Sequence, residues 1–389
     1  MKFDAKKTQI ILARGVEEVI EKSHLEKALQ SGEKLTIKFG IDPTSPDLHL
    51  GHMVPLRKLR QFQDAGHNTA LIIGDFTATI GDPSGRNEER APLSQSEVKK
   101  NLKKYLALAD KIIDVKKCKV FYNSAWFKKD GVAKILELSR VGTFQQVMRR
   151  ADFKERIEAG NDITLLELLY PLFQGYDSAM VKADVEIGGT DQKFNLLMGR
   201  RVQRHFGVPE QDVLTLPLLE GTDGVRKMSK NYKNYIALDE MPEDMFAKIM
   251  SVSDALVKKY FLLLTDVVEK DFPVLSPLLQ KKKLAFEIIS ALHTSKKALS
   301  AQDAFEKKVQ NRNVVTDAPA VRAMNGEIWI DFLVRIGYAK SKSEAKRLVD
   351  GGGVDFESIR VKSGNEKITK KGIAKIGKHT FIKIKVTQH

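Results

Sequence analysis

The sequence contains a single cysteine, Cys118, among its 389 residues. One thiol can form neither an internal disulfide nor a cysteine-based zinc cluster, and it is typical of a reducing compartment. No run of about eighteen apolar residues exists, as a transmembrane helix would need, and the opening heptapeptide MKFDAKK lacks the apolar stretch of a signal peptide. We therefore expect a cytoplasmic protein without membrane contacts and without a metal site of its own, so that any metal arrives with a substrate.

The composition, 42% hydrophobic and 30% charged, is typical of a folded protein, and the length allows two or three domains. The net charge of +15 is unevenly distributed, because residues 321–389 carry fifteen Lys and Arg against seven Asp and Glu, a net charge of +8. Neutralising phosphates is the main source of nucleic-acid affinity, so this tail suggests a polyanion-binding module. On charge alone, a solvated surface is an equally good interpretation. The tail is patterned and not of low complexity, which favours the module.

Apolar segments that resemble strands lie at 35–41, 68–73, 184–189 and 212–219. They alternate with segments of helical periodicity. This alternation predicts an α/β fold with a Rossmann-like, doubly wound parallel sheet, in which ligands bind at the carboxyl ends of strands. Residues 95–183 are predicted to be mostly helical, residues 242–309 all-helical, and residues 311–325 a linker. Thr190 or Asp191 is expected to cap the helix that follows the third strand.

Two imidazoles lie three residues apart in the segment 43–52, PTSPDLHLGH. If a helix begins near His52, then His49 lies just before its first turn, where the helix dipole favours a phosphate. Gly51 between them leaves room for the close approach of a base or ribose. For an isolated pair of histidines, a helix cap and a surface residue would be the better interpretation; the loop at a strand end favours an anion site.

A second segment, 227–231 (KMSKN), offers Lys227 and Lys230 on a loop that begins at the glycine-bracketed residues 221–224. Two lysines that reach a leaving pyrophosphate would stabilise charge that grows in the transition state. The alternative is an exposed basic loop, which is common in a protein of this charge.

Tyr170, Gln174 and Asp177 fall at i, i+4 and i+7 and so share one face of an otherwise apolar helix. Polar groups on a buried helix need partners, which either a ligand or a structural network can supply. Pro171 favours a helix start at that residue, with Tyr170 at its edge.

These motifs together resemble the class I aminoacyl-tRNA synthetases, specifically the bacterial-type tyrosyl-tRNA synthetases. The similarity lies in residues 40–44 (GIDPT), 49–52 (HLGH), 81–85 (GDPSG), 188–192 (GGTDQ) and 227–230 (KMSK), and in Tyr170, Gln174 and Asp177. The tail from about Trp329 is similar to the small RNA-binding module of ribosomal protein S-four. The resemblance covers nearly the whole chain and favours tyrosine over the tryptophanyl relatives; a synthetase-derived RNA-binding protein is the other alternative.

The resemblance implies a catalytic domain over 1–225 with a helical insertion at about 120–183, a lysine loop with a helical anticodon-binding domain over 226–315, and an RNA-binding domain over 325–389. It implies ATP with Mg²⁺, L-tyrosine and tRNA(Tyr) as substrates, a homodimer, and no DNA partner. Thr44, His49, His52, Lys227 and Lys230 would be the catalytic residues around the phosphates. Gly51, Gly189, Asp191 and Lys230 would bind ATP, with Asp191 on the ribose.

In the amino-acid part of the site, the resemblance implies that Asp82, Tyr170 and Gln174 hold the tyrosine ammonium and that Gln192 lies near its carboxylate. Asp177 would accept the phenolic hydroxyl, and Gly40 and Asp42 would complete the tyrosine site. Two positions depart from the family pattern. Lys38 stands where many members have a tyrosine, and such a lysine needs Asp177 or another anion nearby or must point away. Asn231 replaces the usual final Ser or Thr of the lysine loop.

Overall fold

The computed structural model describes residues 5–44, 47–84, 95–268, 276–311, 318–357, 359–377 and 380–387. The chain divides into two compact units, Met1–Gln302 and Asp303–His389. Among the described residues, no helix is both long enough and apolar enough to cross a bilayer.

The first unit is built on a six-stranded sheet. Its strands are β1 Glu18–Ile20, β2 Thr36–Ile41, β3 Asn68–Ile73, β4 Cys118–Tyr122, β5 Val185–Gly189 and β6 Asp212–Leu216. The order across the sheet is β1-β6-β5-β2-β3-β4, and all neighbours are parallel except β1 and β6. This order confirms the predicted Rossmann-like, doubly wound sheet. The chain leaves β2 towards β3 and leaves β5 towards β6 on the other side, so a crevice for ligands opens between the carboxyl ends of β2 and β5.

Helices alternate with these strands along the chain and follow the last of them. They are α1 Ala5–Ala13, α2 Lys22–Gln30, α3 Leu50–Asp64, α4 Gln95–Ala109, α5 Ser124–Leu138, α6 Phe144–Val147, α7 Ala151–Glu158, α8 Leu165–Val181, α9 Lys193–His205, α10 Pro242–Ser251, α11 Asp254–Leu264, α12 Pro277–Leu292 and α13 Ser295–Asn311. The all-helical prediction for 242–309 holds for the described residues of that range.

Residues 95–183 are mostly helical, as predicted, but they also contain strand β4, which was not predicted. It is a five-residue edge strand, parallel to β3, between α4 and α5. Cys118 is buried in it, whereas Lys119 and Tyr122 are exposed. A short strand with polar residues on its outer face has little apolar alternation, so periodicity could not separate it from the helices around it.

Helix α8 begins at Leu165, a turn and a half before the start that Pro171 suggested. Thr164 and Glu167 form a capping box at its start, and Glu167 also forms a buried ion pair with Arg156. These contacts establish the helix before Pro171, which then lacks only one backbone donor. Tyr170 therefore lies inside the helix. The predicted cap at Thr190 or Asp191 is also wrong, because Gln192 is the N-cap of α9 and makes no side-chain capping bond.

The second unit has a five-stranded sheet in the order β10-β9-β12-β13-β7 and a two-stranded sheet of β11 and β8. The elements are β7 Ala320–Met324, β8 Glu327–Ile328, α14 Trp329–Arg335, α15 Lys342–Asp350, β9 Val354–Phe356, β10 Ile359–Arg360, β11 Lys367–Ile368, β12 Gly372–Ile376 and β13 Thr380–Thr387. Trp329, Phe332 and Leu333 lie in its apolar core. Part of the predicted linker 311–325 is therefore structured, since β7 pairs in parallel with β13; residues 312–317 lie outside the described residues.

Candidate active site

A cavity of about 1160 Å³ opens at the carboxyl ends of β2 and β5. Every residue predicted for the site lines it: Gly40, Asp42, Thr44, His49, Gly51, His52, Asp82, Tyr170, Gln174, Asp177, Gly189, Asp191, Gln192, Lys227 and Lys230. These residues come from loops and helices that are far apart in the sequence. The structure thus brings the histidine segment, the lysine loop and the polar face of α8 into one site.

The two histidines hold the start of α3. His49 is its N-cap, and its Nδ1 accepts the backbone N–H of Gly51 at 3.2 Å, while Nδ1 of His52 accepts the backbone N–H of His49 at 3.2 Å. The ring centroids are 4.0 Å apart. Burial and the neighbouring His52 lower the pKa of His49 to about 2, and burial lowers the pKa of His52 to about 4. Both imidazoles are therefore neutral at pH 7.

The tautomer of each ring follows from these bonds. Because each Nδ1 accepts a backbone hydrogen, the single proton of the neutral ring resides on Nε2. Each ring consequently keeps one N–H donor for a further partner. Two neutral donors at a helix amino terminus suit an anionic ligand, since the unsatisfied backbone N–H groups there add positive partial charge.

Gly51 has a spatial reason besides the predicted approach of a nucleotide. A Cβ at this position would lie 2.9 Å from Nδ1 of His49, closer than Cβ atoms are found to other atoms. A side chain here would displace the His49 ring from its cap. At Gly189 a Cβ would lie 2.7 Å from a carboxylate oxygen of Asp191, so this glycine lets the Asp191 side chain fold back beside the strand end.

The histidine segment and the lysine loop are joined by backbone hydrogen bonds. His49 and Ala237 form an antiparallel bridge, the N–H of Leu50 donates to the carbonyl of Ile236 at 3.0 Å, and the N–H of Leu238 donates to the carbonyl of Leu48 at 2.8 Å. The end of the loop that carries the lysines is thereby fixed beside the two imidazoles.

Within the loop, Met228 is buried and the backbone N–H of Ser229 donates to the buried Asn234 side chain at 2.8 Å. The Lys227 ammonium lies 3.0 Å from a carboxylate oxygen of Asp191. Lys230 lies 2.6 Å from Asp47, whose other oxygen contacts Lys104 at 2.8 Å. Hydrogen bonds from Lys104 and Lys230 hold the pKa of Asp47 below its usual value.

Asn231, the other departure from the family pattern, donates its backbone N–H to the hydroxyl of Ser229 at 3.3 Å. This contact uses only the backbone of Asn231. The turn at Ser229 therefore does not depend on a hydroxyl side chain at position 231.

Tyr170 lies among carboxylates. Its hydroxyl donates to Asp42 at 3.0 Å, and the hydroxyl of Thr77 donates to the other oxygen of Asp42 at 2.7 Å. Burial raises the pKa of Tyr170 well above its usual value, and the charges of Asp42, Asp82 and Asp177 raise it further. Asp42 and Asp82 beside this phenol make this part of the cavity negative, which favours a bound cation.

The buried side chain of Asn195 organises the amides nearby. Its Nδ2 lies 3.0 Å from Oε1 of Gln174, 3.1 Å from Oε1 of Gln192 and 3.2 Å from Oγ of Ser84. The guanidinium of Arg150 donates to Oδ1 of Asn195 at 3.0 Å. Gln192 in turn donates to Asp82 at 2.7 Å. Sequence reasoning missed Asn195, although it lies one turn beyond Asp191 on α9.

Asp177 is buried and bonded through both oxygens. The indole N–H of Trp126 donates to Oδ1 at 2.9 Å and Nδ2 of Asn123 donates to Oδ2 at 3.3 Å. Burial raises the pKa of Asp177 to about 7, against the lowering effect of Lys38 and these two donors. Trp126 and Asn123 were also missed, because they lie at the start of α5, about fifty residues before Asp177. No local pattern connects such positions.

Lys38 is buried and has an anionic partner. Its ammonium forms a buried ion pair with Glu186 at 2.8 Å, and both side chains are almost fully buried. The sequence required Asp177 or another anion near this lysine. The ion-pair partner is another anion, Glu186.

The model of the family described as class I tRNA synthetases for tryptophan and tyrosine matches residues 30–314 of this chain. The chain is 46% identical over 381 residues to a tyrosine–tRNA ligase of Aquifex aeolicus, an alignment that covers 96% of this chain and 97% of the relative. It is 43% identical over 385 residues to a tyrosine–tRNA ligase of Thermotoga maritima, which covers 96% of each.

Among solved structures, a C-terminally truncated mitochondrial tyrosyl-tRNA synthetase of Aspergillus nidulans superposes with a TM-score of 0.65 at 21% identity, covering 78% of this chain and 94% of that one. A tyrosyl-tRNA synthetase of Archaeoglobus fulgidus, complexed with L-tyrosine, superposes with a TM-score of 0.63 at 23% identity, covering 76% and 99%. These two establish the likeness of the fold. Together with the sequence matches, they place the chain in a class of enzymes that share this sheet, the histidine segment and the lysine loop. The chain belongs to the class I tRNA synthetases for tryptophan and tyrosine and, within them, to the bacterial-type tyrosyl-tRNA synthetases.

Proposed function

We propose that this chain is a tyrosine–tRNA ligase, which activates L-tyrosine with ATP and then transfers it to the 3′ end of tRNA(Tyr). The observation that supports it most is one cavity with two chemically opposite parts. One part of its lining supplies imidazole N–H groups and two lysines, and another part supplies the carboxylates of Asp42, Asp82 and Asp177. The first part suits a triphosphate, and the second suits an ammonium and a phenolic hydroxyl.

In the first step, the tyrosine carboxylate attacks the α-phosphorus of ATP while the bond to the β-phosphate breaks and pyrophosphate leaves. No protein nucleophile is needed, so catalysis consists of positioning and charge stabilisation. His49 and His52 donate Nε2–H to the phosphates, beside Thr44 and the amino end of α3. Lys227 and Lys230 neutralise the charge that develops on the leaving pyrophosphate. Mg²⁺ arrives with ATP as part of that substrate.

The nucleotide part of the site is completed by glycines and one acid. Asp191 binds the ribose hydroxyls, at the end of β5 where Gly189 leaves space for it. Its contact with Lys227 at 3.0 Å links the ribose site to the phosphate site. Gly51 keeps the His49 ring in place, so that its remaining N–H meets the nucleotide.

Tyrosine binds in the negative part of the cavity. Asp82, Tyr170 and Gln174 hold its ammonium, Gln192 lies near its carboxylate, and Gly40 and Asp42 form the adjoining wall. Asp177 accepts the phenolic hydroxyl. A buried acceptor loses its partner when phenylalanine binds, and tyrosyl-tRNA synthetase is the known example of discrimination by this effect.

The remaining proposals concern partners and place. We assign residues 1–225 to catalysis, 226–315 to binding of the anticodon and 325–389 to binding of RNA. Of the described Lys and Arg beyond residue 320, only Lys375 is not exposed, which supports binding of RNA there. Large apolar side chains are exposed on α5, α6 and α8 at Val132, Leu136, Phe144 and Leu165, which supports a homodimer through this region. Sedimentation tests that state, and a monomer at working concentrations would exclude it. The enzyme acts in the cytoplasm.

The test of the activity is exchange of labelled pyrophosphate into ATP, paired with charging of tRNA. We expect exchange that depends on tyrosine, and charging of tRNA(Tyr). Exchange with tryptophan would instead assign the chain to the tryptophanyl branch. Absence of exchange with either amino acid would leave an RNA-binding protein without synthetase activity.

A further inference from the structure

Lys38 is a buried ammonium with a full set of partners. It lies on β2 with its side chain completely buried. Its Nζ donates to Oγ of Ser178 at 2.7 Å, to the carbonyl of Gln174 at 2.8 Å and to Oε1 of Glu186 at 2.8 Å. Three donors meet three acceptors, which is what a buried ammonium requires to remain in the fold.

Glu186 on β5 is satisfied just as completely. Its Oε2 accepts the hydroxyl of Ser178 at 3.0 Å and the amide of Gln211, and its Oε1 also accepts the side-chain amide of Gln174 at 3.2 Å. The pair therefore forms a closed network between two neighbouring strands and α8. Removing one partner of such a buried pair leaves an uncompensated charge, whereas removing both charges with little change of volume costs much less.

The contacts of this network fall on one turn of α8. Gln174 and Ser178 flank Asp177, and Gln174 is bonded both by its carbonyl, to Lys38, and by its side-chain amide, to Glu186. The same turn carries two of the residues proposed to contact tyrosine. Lys38 thus holds the position of the tyrosine-binding face from behind, without touching the substrate.

We propose that Lys38, paired with Glu186, is a positioning residue for tyrosine selection: it fixes the Gln174–Ser178 turn that carries Asp177. This inference rests on the proposed function and identifies what takes the place of the family's tyrosine at position 38. Recognition of the phenolic hydroxyl then depends on Asp177. Lys38 supports Asp177 by holding this turn and by its positive charge.

The groups around Asp177 determine in which direction each substitution changes its pKa. Lys38 on β2 favours the ionised carboxylate, as do the donors Trp126 and Asn123, whereas Glu186 on β5 disfavours it; on α8 itself, Tyr170 lies within reach of its charge. With a pKa of about 7, Asp177 changes its charge between pH 6 and 8. Loss of Lys38 raises this pKa, and loss of the Glu186 charge lowers it.

The experiment compares Lys38→Met and Glu186→Gln by pyrophosphate exchange, with kcat/KM for tyrosine measured from pH 6 to 9. We expect the apparent pKa of the profile to move up by about one unit in Lys38→Met and down by about one unit in Glu186→Gln. At pH 7, Lys38→Met should raise KM for tyrosine about tenfold and reduce selection of tyrosine over phenylalanine, with KM for ATP unchanged. Lys38→Arg, which keeps the charge, should restore part of the loss.

Lys58→Met is the matched control, because Lys58 is also buried and its ammonium donates to three backbone carbonyls, those of Ile10, Ile11 and Arg14. It should leave KM for tyrosine and the pH profile of kcat/KM unchanged. If a single variant does not fold, Lys38→Met/Glu186→Gln carries the test: we expect a profile near that of the unaltered chain but a raised KM for tyrosine.

The outcomes separate this inference from the proposed function. Shifts of the two single variants in the same direction, or a tyrosine KM unchanged in the double variant, would show that Lys38 and Glu186 are only structural. No tyrosine-dependent exchange by the unaltered chain would refute the proposed function itself, and this inference with it.

Discussion

Replacing Lys230 by alanine should reduce the rate of adenylate formation far more than it reduces stability. The Lys230 side chain is 52% exposed, so its ion pair with Asp47 contributes at most about 1 kcal/mol to folding. Asp47 keeps its second partner, Lys104, at 2.8 Å, and no unpaired buried charge results. We therefore expect Lys230→Ala to fold normally.

The rate should fall much more. A cation that meets charge developing on the leaving pyrophosphate acts in the transition state, and removing one such group typically costs about 3–4 kcal/mol, or about 10²–10³-fold in rate. In the proposed site tyrosine contacts Asp177 and not Lys230, so its dissociation constant should change by less than about twofold.

Rapid-mixing measurement of tyrosyl-adenylate formation gives the rate constant, and equilibrium dialysis gives tyrosine affinity. Lys233→Ala, in the same loop and exposed, is the control and should leave both quantities unchanged. A loss of tyrosine affinity as large as the loss of rate would refute the assignment of Lys230 to the transition state.

Three further perturbations test other parts of the site. Asn195→Ala removes the donor shared by Gln174, Gln192 and Ser84, and we expect KM for tyrosine to rise about tenfold, consistent with about 1–3 kcal/mol for lost buried hydrogen bonds; an equal rise in KM for ATP would contradict this. The pKa of His52 is about 4 in the folded chain against 6.5 when unfolded, so its contribution to stability is complete above pH 6.5 and is lost as pH falls, by at most about 1.4 kcal/mol per pH unit down to about 4. Urea unfolding at pH 7 and pH 5 should show this loss, and His52→Gln should make it smaller; an unchanged pH dependence in that variant would assign the loss to other groups. Truncation after Asn311, which removes β7 together with its partner β13, should weaken tRNA charging and largely spare pyrophosphate exchange; loss of both activities would make the second unit structural.

Much of the catalytic unit could be predicted from local patterns. Strands β2, β3 and β5 were predicted within about two residues, and the start of α3 lies beside the predicted position, because long apolar runs and capping residues are local signals. Strand β4 and the start of α8 were not predicted correctly. The first is a short edge strand, and the second depends on a capping box and an ion pair with Arg156 that override the signal of Pro171.

In the site, the residue types and their order were visible in the sequence, but their partners were not. Asn195, Trp126 and Asn123 support predicted residues through contacts that depend on how α5, α8 and α9 pack around the sheet. A side-chain hydrogen bond between distant segments leaves no periodicity in either of them. Such positioning residues become visible only when distances are known.

By itself, the sequence determined the doubly wound sheet, the two segments that carry histidines and lysines, and the polar face of α8. Each depends on residues close together in the chain, where spacing alone decides which side chains share a face. Only the tertiary structure decided that the histidine segment pairs with the lysine loop, and that Lys38 turns to Glu186. Position 38 allowed two opposite orientations, and the choice was made by a carboxylate on another strand, 148 residues away in the chain, because a buried ammonium must lie where its partner lies.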